Sequence, residues 1–66
     1  MAISLTARIV MAKNRLESTP AKERGTYWDV ATKLVDEAQQ NNQRRRRQAA
    51  EVALESARKY IEVAAP

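Results

Sequence analysis

The sequence predicts an all-α fold, a small helical bundle in which two long helices form a hairpin beside a shorter N-terminal helix. Three observations indicate this class. The 66 residues include one glycine, and the two prolines stand at position 20 and at the last position. Apolar residues recur at intervals of three and four in three successive segments, which is the spacing of one helix face. Alanine is abundant and phenylalanine is absent, which favours closely packed helices.

The first helix is predicted from about Ile3 to Glu17. Pro20 ends it, because the residue before a proline is pushed out of the α region. Thr19 is expected to cap a short turn from Pro20 to Arg24. The apolar face of this helix consists of Ala2, Leu5, Ile9, Ala12 and Leu16.

The second helix is predicted from about Tyr27 to Gln40. Thr26 followed by Asp29 resembles a capping box at its start, with aspartate in place of the usual glutamate. Trp28 is expected in the core and Tyr27 at the exposed edge of the stripe. That apolar stripe consists of Tyr27, Trp28, Ala31, Leu34, Val35 and Ala38.

The third helix is predicted from about Arg45 to Ala64. Charged side chains occupy one side of it, and apolar side chains occupy the other, as in an amphipathic surface helix. Leu54 is expected towards the edge of the apolar arc. The arc consists of Ala49, Ala50, Val52, Ala53, Ala57, Tyr60, Ile61, Val63 and Ala64.

The connection between the second and third helices allows two architectures. A wholly polar stretch from Gln39 to Gln48 separates them, and asparagine tolerates turn geometry, so a hairpin with its turn near Asn41-Asn42 is favoured. However, no glycine or proline occurs between Thr26 and Ala65, so one continuous rod about 57 Å long is the alternative.

Four consecutive arginines, Arg44, Arg45, Arg46 and Arg47, lie in that polar stretch and equal the whole net charge of +4. They are a solvated corner, a contact for an acidic protein partner, or a clamp for phosphates, to which a guanidinium group can donate two hydrogen bonds. On the second interpretation the chain is a nucleic-acid-binding accessory protein. The further contacts expected in that case are Arg8, Lys13 and Arg15.

The composition argues against several functional classes. The chain has no cysteine and no histidine, so disulfides and the common nitrogen and sulfur metal sites are excluded. No glycine-rich phosphate loop or activated nucleophile is recognisable, so we expect no enzyme activity, cofactor or small-molecule substrate. No apolar run is long enough to span a membrane. A signal peptide is not expected, and the default expectation is one cytoplasmic domain over residues 1–66.

The small size of the chain predicts a partner. A chain of this length buries only about 60% of the surface that its unfolded form exposes. Small proteins without disulfides or structural metal ions often rely on oligomerisation for stability. We therefore expect a homodimer or another protein partner, and the leading function is a small non-enzymatic interaction protein that acts as an adaptor, inhibitor or regulator. The side chains expected at its partner interface are Ile3, Val10, Met11, Tyr27 and Leu54.

Overall fold

A computed structural model describes residues 3–64 and confirms the small helical bundle. Helix α1 spans Leu5–Glu17, a single 3-10 turn spans Ala21–Glu23, α2 spans Thr26–Gln43 and α3 spans Arg47–Ala64. No strand occurs between residues 3 and 64. No helix in this part of the chain combines the length and the apolar character that crossing a bilayer requires. Met1 and Ala2, the latter predicted on the first apolar face, lie outside the described residues.

Helices α2 and α3 form the predicted antiparallel hairpin, and the rod is excluded. The rings of Tyr27 and Tyr60 lie 5.9 Å apart, at nearly equal distances along the chain from Arg44. Alanines line the seam between these two helices and are at most 8% exposed. Their small side chains let the two backbones approach closely. These alanines are Ala31, Ala38, Ala50, Ala53 and Ala57.

Helix α1 runs antiparallel to α2 and therefore in the same direction as α3. At one end Asn42 Nδ2 donates to Thr6 Oγ1 at 3.0 Å, and at the other Trp28 Nε1 donates to the carbonyl of Leu16 at 2.8 Å. Between them, Lys13 Nζ donates to Gln39 Oε1 and lies 4.0 Å from a carboxylate oxygen of Asp36. Because α1 packs mainly on α2 and only lightly on α3, its two flanks differ in how open they are.

The core is small and rich in alanine. Its larger members come from all three helices, and half-buried Trp28, Leu34 and Tyr60 pack against it. Thr19 is the one buried polar side chain of the described residues, and its hydroxyl lies 3.4 Å from the carbonyl of Arg15. The larger buried side chains are Leu5, Ile9, Leu16, Val35, Leu54 and Ile61.

The helix ends differ from the expectations at three places. Ser4 caps α1 by accepting a hydrogen bond from the backbone N–H of Ala7 at 3.1 Å, so the helix begins two residues later than predicted. Thr19 is not a cap, because Pro20 occupies that position before the 3-10 turn. The predicted capping box is also wrong, since Thr26 is already helical and the cap position belongs to Gly25, which has no side chain to offer.

The turn of the hairpin lies at Arg44–Arg46, about three residues after the predicted Asn41-Asn42. Both asparagines belong to α2, and the side chain of Asn41 donates to the carbonyl of Glu37 at 3.0 Å. Since Asn42 bonds to Thr6, neither amide is available to start a turn. Helix α3 consequently begins at Arg47 instead of Arg45.

Candidate interaction surfaces

The turn between α2 and α3 is stabilised by hydrogen bonds between its own backbone groups and those of α2. The N–H of Arg46 donates to the carbonyl of Asn41 at 2.8 Å, and the N–H of Arg45 donates to that of Asn42 at 3.1 Å. These two hydrogen bonds are typical of a helix C-terminus that is followed by a residue in the left-handed backbone conformation, and here they end α2. Arg45 supplies that residue with a φ of 60°, the only non-glycine residue with positive φ between residues 3 and 64.

The arginine turn, defined as Arg44–Arg47, presents four exposed side chains. Arg47 Nε lies 3.3 Å from Glu51 Oε1, one helical turn later, in an exposed pair. Arg44, Arg45 and Arg46 make no side-chain hydrogen bond or ion pair with any of residues 3–64. The turn therefore carries at least three guanidinium groups whose hydrogen-bonding capacity is directed to the solvent.

The basic residues of α1 do not gather with the arginine turn as a single cluster. Lys13 lies in the seam between α1 and α2, where Asp36 and Gln39 engage its ammonium group. Its expected role as a helper in phosphate contact is therefore not supported by its position. Arg8 and Arg15 lie on the opposite flank of α1, facing α3.

That flank forms an open groove between α1 and α3, which we call the α1/α3 groove. It encloses about 290 Å³. Its apolar lining comes from Ile3, Met11, Ala12, Leu54 and Ile61. Its charged lining comes from Arg8, Arg15, Arg58 and Glu62.

A second uncovered surface lies on the other side of the hairpin from α1. On α2, helix α1 covers the stripe that contains Trp28, Gln39 and Asn42, which leaves the neighbouring stripe open. Leu34 and Val52 face each other there across the seam of α2 and α3. We call this surface the hairpin face, and Glu37, Asn41, Gln48 and Ser56 contribute polar groups to it. The large side chains that helical spacing places on it are Tyr27, Val30, Leu34, Val52, Tyr60 and Val63.

The hairpin face is substantially exposed to solvent. Val52 and Val63 are each 63% exposed and Tyr27 is 55% exposed, while Val30, Leu34 and Tyr60 are half-buried. Val52 and Val63 belong to the predicted apolar arc of the third helix, but they lie on the part of it that faces solvent. The exposure of Tyr27 was predicted from its position at the edge of the stripe.

The other expected interface residues are divided between different places. Ile3 and Met11 are 57% and 58% exposed and belong to the α1/α3 groove. Val10 is 49% exposed and belongs to neither surface. Leu54 was expected to add to the exposed apolar area, but it is only 2% exposed because it packs into the core beneath the groove.

Sequence reasoning missed the hairpin face because it treated the apolar residues of α3 as one continuous arc. One signal was present in the chain: Tyr27, Val30 and Leu34 follow the spacing of a helical stripe of their own. Comparison of the chain with protein-family models, curated proteins and solved structures finds no match to any of them.

Proposed function

We propose that this protein is a non-enzymatic helical interaction protein, acting as an adaptor, inhibitor or regulator through contacts with other polypeptide chains. The observation that carries the proposal is the hairpin face, where six large apolar side chains remain partly or largely in water. Contiguous apolar patches larger than a few hundred Å² mark interaction sites on small proteins. Burying such a patch against a partner is favourable because it removes apolar area from water.

The occupant that this face fits best is a second copy of the chain. Helices α2 and α3 have 18 residues each, so the face is about 27 Å long and about 20 Å wide. Two such faces together bury about 1,000 Å², which is near the lower limit for a specific interface. The resulting four-helix core would supply the apolar burial that a 66-residue chain lacks.

The arginine turn favours an antiparallel arrangement of the two copies. In a parallel dimer the arginine turns of both copies would lie at one end of the four-helix core. The positive charges of two neighbouring arginine turns repel each other, and this repulsion would oppose association. In an antiparallel dimer each arginine turn lies beside the open end of the partner's hairpin, so the two turns are separated by the length of the helices.

The test compares two valine-to-glutamate substitutions. Val52→Glu places a charge on the hairpin face, in the part that also contains Leu34, whereas Val10→Glu places the same charge on an exposed part of α1 outside both surfaces. Both side chains are about half exposed or more, so both variants should fold. By sedimentation equilibrium, Val52→Glu should be monomeric and Val10→Glu should associate like the natural sequence. Equal association of the two variants would exclude the hairpin face as the interface.

Nucleic-acid binding is the second candidate function, and the arginine turn favours it. Glycine at position 45 and a short polar cap at position 46 would suit this turn better than arginine. Local rules of stability are most often broken at functional sites. Three guanidinium groups that have no side-chain partner among residues 3–64 are suited to phosphate oxygens.

Salt dependence tests this second candidate. Binding to mixed duplex DNA and to RNA would be measured at about 50 and about 200 mM salt, where phosphate-driven affinity should fall by orders of magnitude. Replacing all four arginines of the turn with glutamine should abolish the binding. A natural sequence that shows no detectable binding at the lower salt concentration would eliminate the candidate.

A further inference from the structure

The α1/α3 groove combines an apolar floor with a cationic rim. Met11 and Ile3 are more than half exposed at its edge, whereas Leu54 and Ile61 are at most 3% exposed and form its base. The groove exists because α1 packs chiefly on α2 and leaves its contact with α3 incomplete. It lies on the opposite side of the molecule from the hairpin face, so a dimer formed through that face would leave both copies of the groove accessible.

The charges at the groove select the chemistry of its ligand. Three arginines and one glutamate line it, which leaves a net positive rim. The side chain of Arg8 makes no hydrogen bond or ion pair with the described residues. Arg58 makes only an exposed contact, in which Nη1 lies 3.7 Å from Glu55 Oε2, and such pairs exchange readily for better ones. A ligand with carboxylates on its flanks would therefore complement this rim.

The open shape of the groove suits a helical ligand better than a small molecule. A drug-sized ligand usually needs most of its surface enclosed, and a groove with Ile3 and Met11 at an exposed edge cannot provide that. A helix needs to bury only one apolar stripe. On α1 the lining runs from Arg8 to Arg15, which is about two helical turns, so it matches a partner helix with anchors at positions i, i+3 or i+4, and i+7.

We propose that the α1/α3 groove binds an acidic amphipathic helix of a partner protein, with its apolar stripe against Met11 and Leu54 and its carboxylates at Arg8 and Arg58. The apolar floor favours a helix over a nucleic acid, because charged phosphates gain no free energy from contact with apolar side chains. The site is separate from the hairpin face, so this inference and the dimer can fail independently of each other.

Two labelled peptides of about 14 residues test the proposal by fluorescence anisotropy. Both carry leucine at i, i+3, i+4 and i+7, and one is flanked by glutamate whereas the other is flanked by lysine. The glutamate peptide should bind saturably, with a dissociation constant of about 10–100 µM. The lysine peptide should not. Equal binding of the two, or no saturable binding of the glutamate peptide, would overturn the proposal.

Matched protein variants locate the binding. The double variant Arg8→Gln, Arg58→Gln should weaken the glutamate peptide about fivefold. The double variant Lys33→Gln, Lys59→Gln removes the same net charge from exposed positions outside the groove and should have no effect. Equal weakening by both pairs would show general charge attraction instead of a site.

Two further arms complete the design. Met11→Asp places a repelling charge at the apolar edge of the groove and should abolish peptide binding, whereas the neighbouring Val10→Asp, outside the groove, should preserve it. A labelled single-stranded oligonucleotide serves as the competing anion. If it binds with the same dependence on Arg8 and Arg58 as the peptide, the groove is a phosphate site and the proposal is wrong.

Discussion

At the scale of single residues, the most informative position is Arg45. Its φ of 60° places it in the left-handed region, which costs an L-residue with a side chain roughly 1–2 kcal/mol. Arg46 then provides the carbonyl that accepts the first backbone bond of α3, from Ala50 at 2.9 Å, at a position where serine or aspartate is preferred. The turn therefore retains arginines at two positions where other residues would stabilise it more.

Replacing Arg45 with glycine should stabilise the fold by about 0.5–1 kcal/mol, because glycine adopts positive φ without a steric cost. Urea denaturation at a fixed protein concentration measures the change. Arg44→Gly is the matched control, since Arg44 has a φ of −87° and gains nothing from glycine. It should lose stability by a similar amount. Equal effects of the two substitutions would contradict the left-handed conformation at Arg45.

At the scale of helices, the sequence predicts which segments are helical better than it predicts the angle at which each helix faces the core. All three helices and their order follow from the apolar spacing. In α3, however, Leu54 was expected at the edge of the apolar arc and the two valines, Val52 and Val63, within it. Leu54 is instead buried, and the two valines are exposed. A wide apolar arc is compatible with several rotations of the helix, and only contacts with α1 select one of them.

The position of the turn was also beyond local reasoning. Asparagine at positions 41 and 42 resembles a turn signal, but both side chains are used by tertiary or helical hydrogen bonds. A left-handed arginine has no sequence signature, since glycine or asparagine usually occupies that position. The arginine turn and Tyr27 were thus recognisable from the sequence as candidate sites, whereas the α1/α3 groove depends on the packing of two helices distant in sequence.

Two neighbouring residues on α1 test its orientation. Ile9 is 2% exposed in the core and Val10 is 49% exposed, although both are β-branched and apolar. Ile9→Ala should cost about 2–5 kcal/mol in the free energy of unfolding, because it removes buried methyl groups and leaves a cavity. Val10→Ala should change it by less than about 0.5 kcal/mol. Chemical denaturation that ranks the two in the opposite order would mean that α1 is rotated.

At the scale of the whole molecule, the balance between buried and exposed apolar side chains is the main feature. Five of the eleven apolar side chains that are buried between residues 3 and 64 are alanines, so the core gains little from each buried residue. Six larger apolar side chains on the hairpin face stay partly or largely in water. The single chain is compact, with a Cα radius of gyration of 11.4 Å. However, much of the apolar surface that could stabilise it lies outside the core.

The most direct test of this account is the solution mass of the natural sequence by sedimentation equilibrium over a range of concentrations. Because the proposed dimer would bury only about 1,000 Å² at the hairpin face, its association should be reversible in the micromolar range. The mass should rise with concentration from 7.5 kDa towards twice that value. A mass that stays at 7.5 kDa up to millimolar concentration would contradict the proposal that a second copy covers the hairpin face.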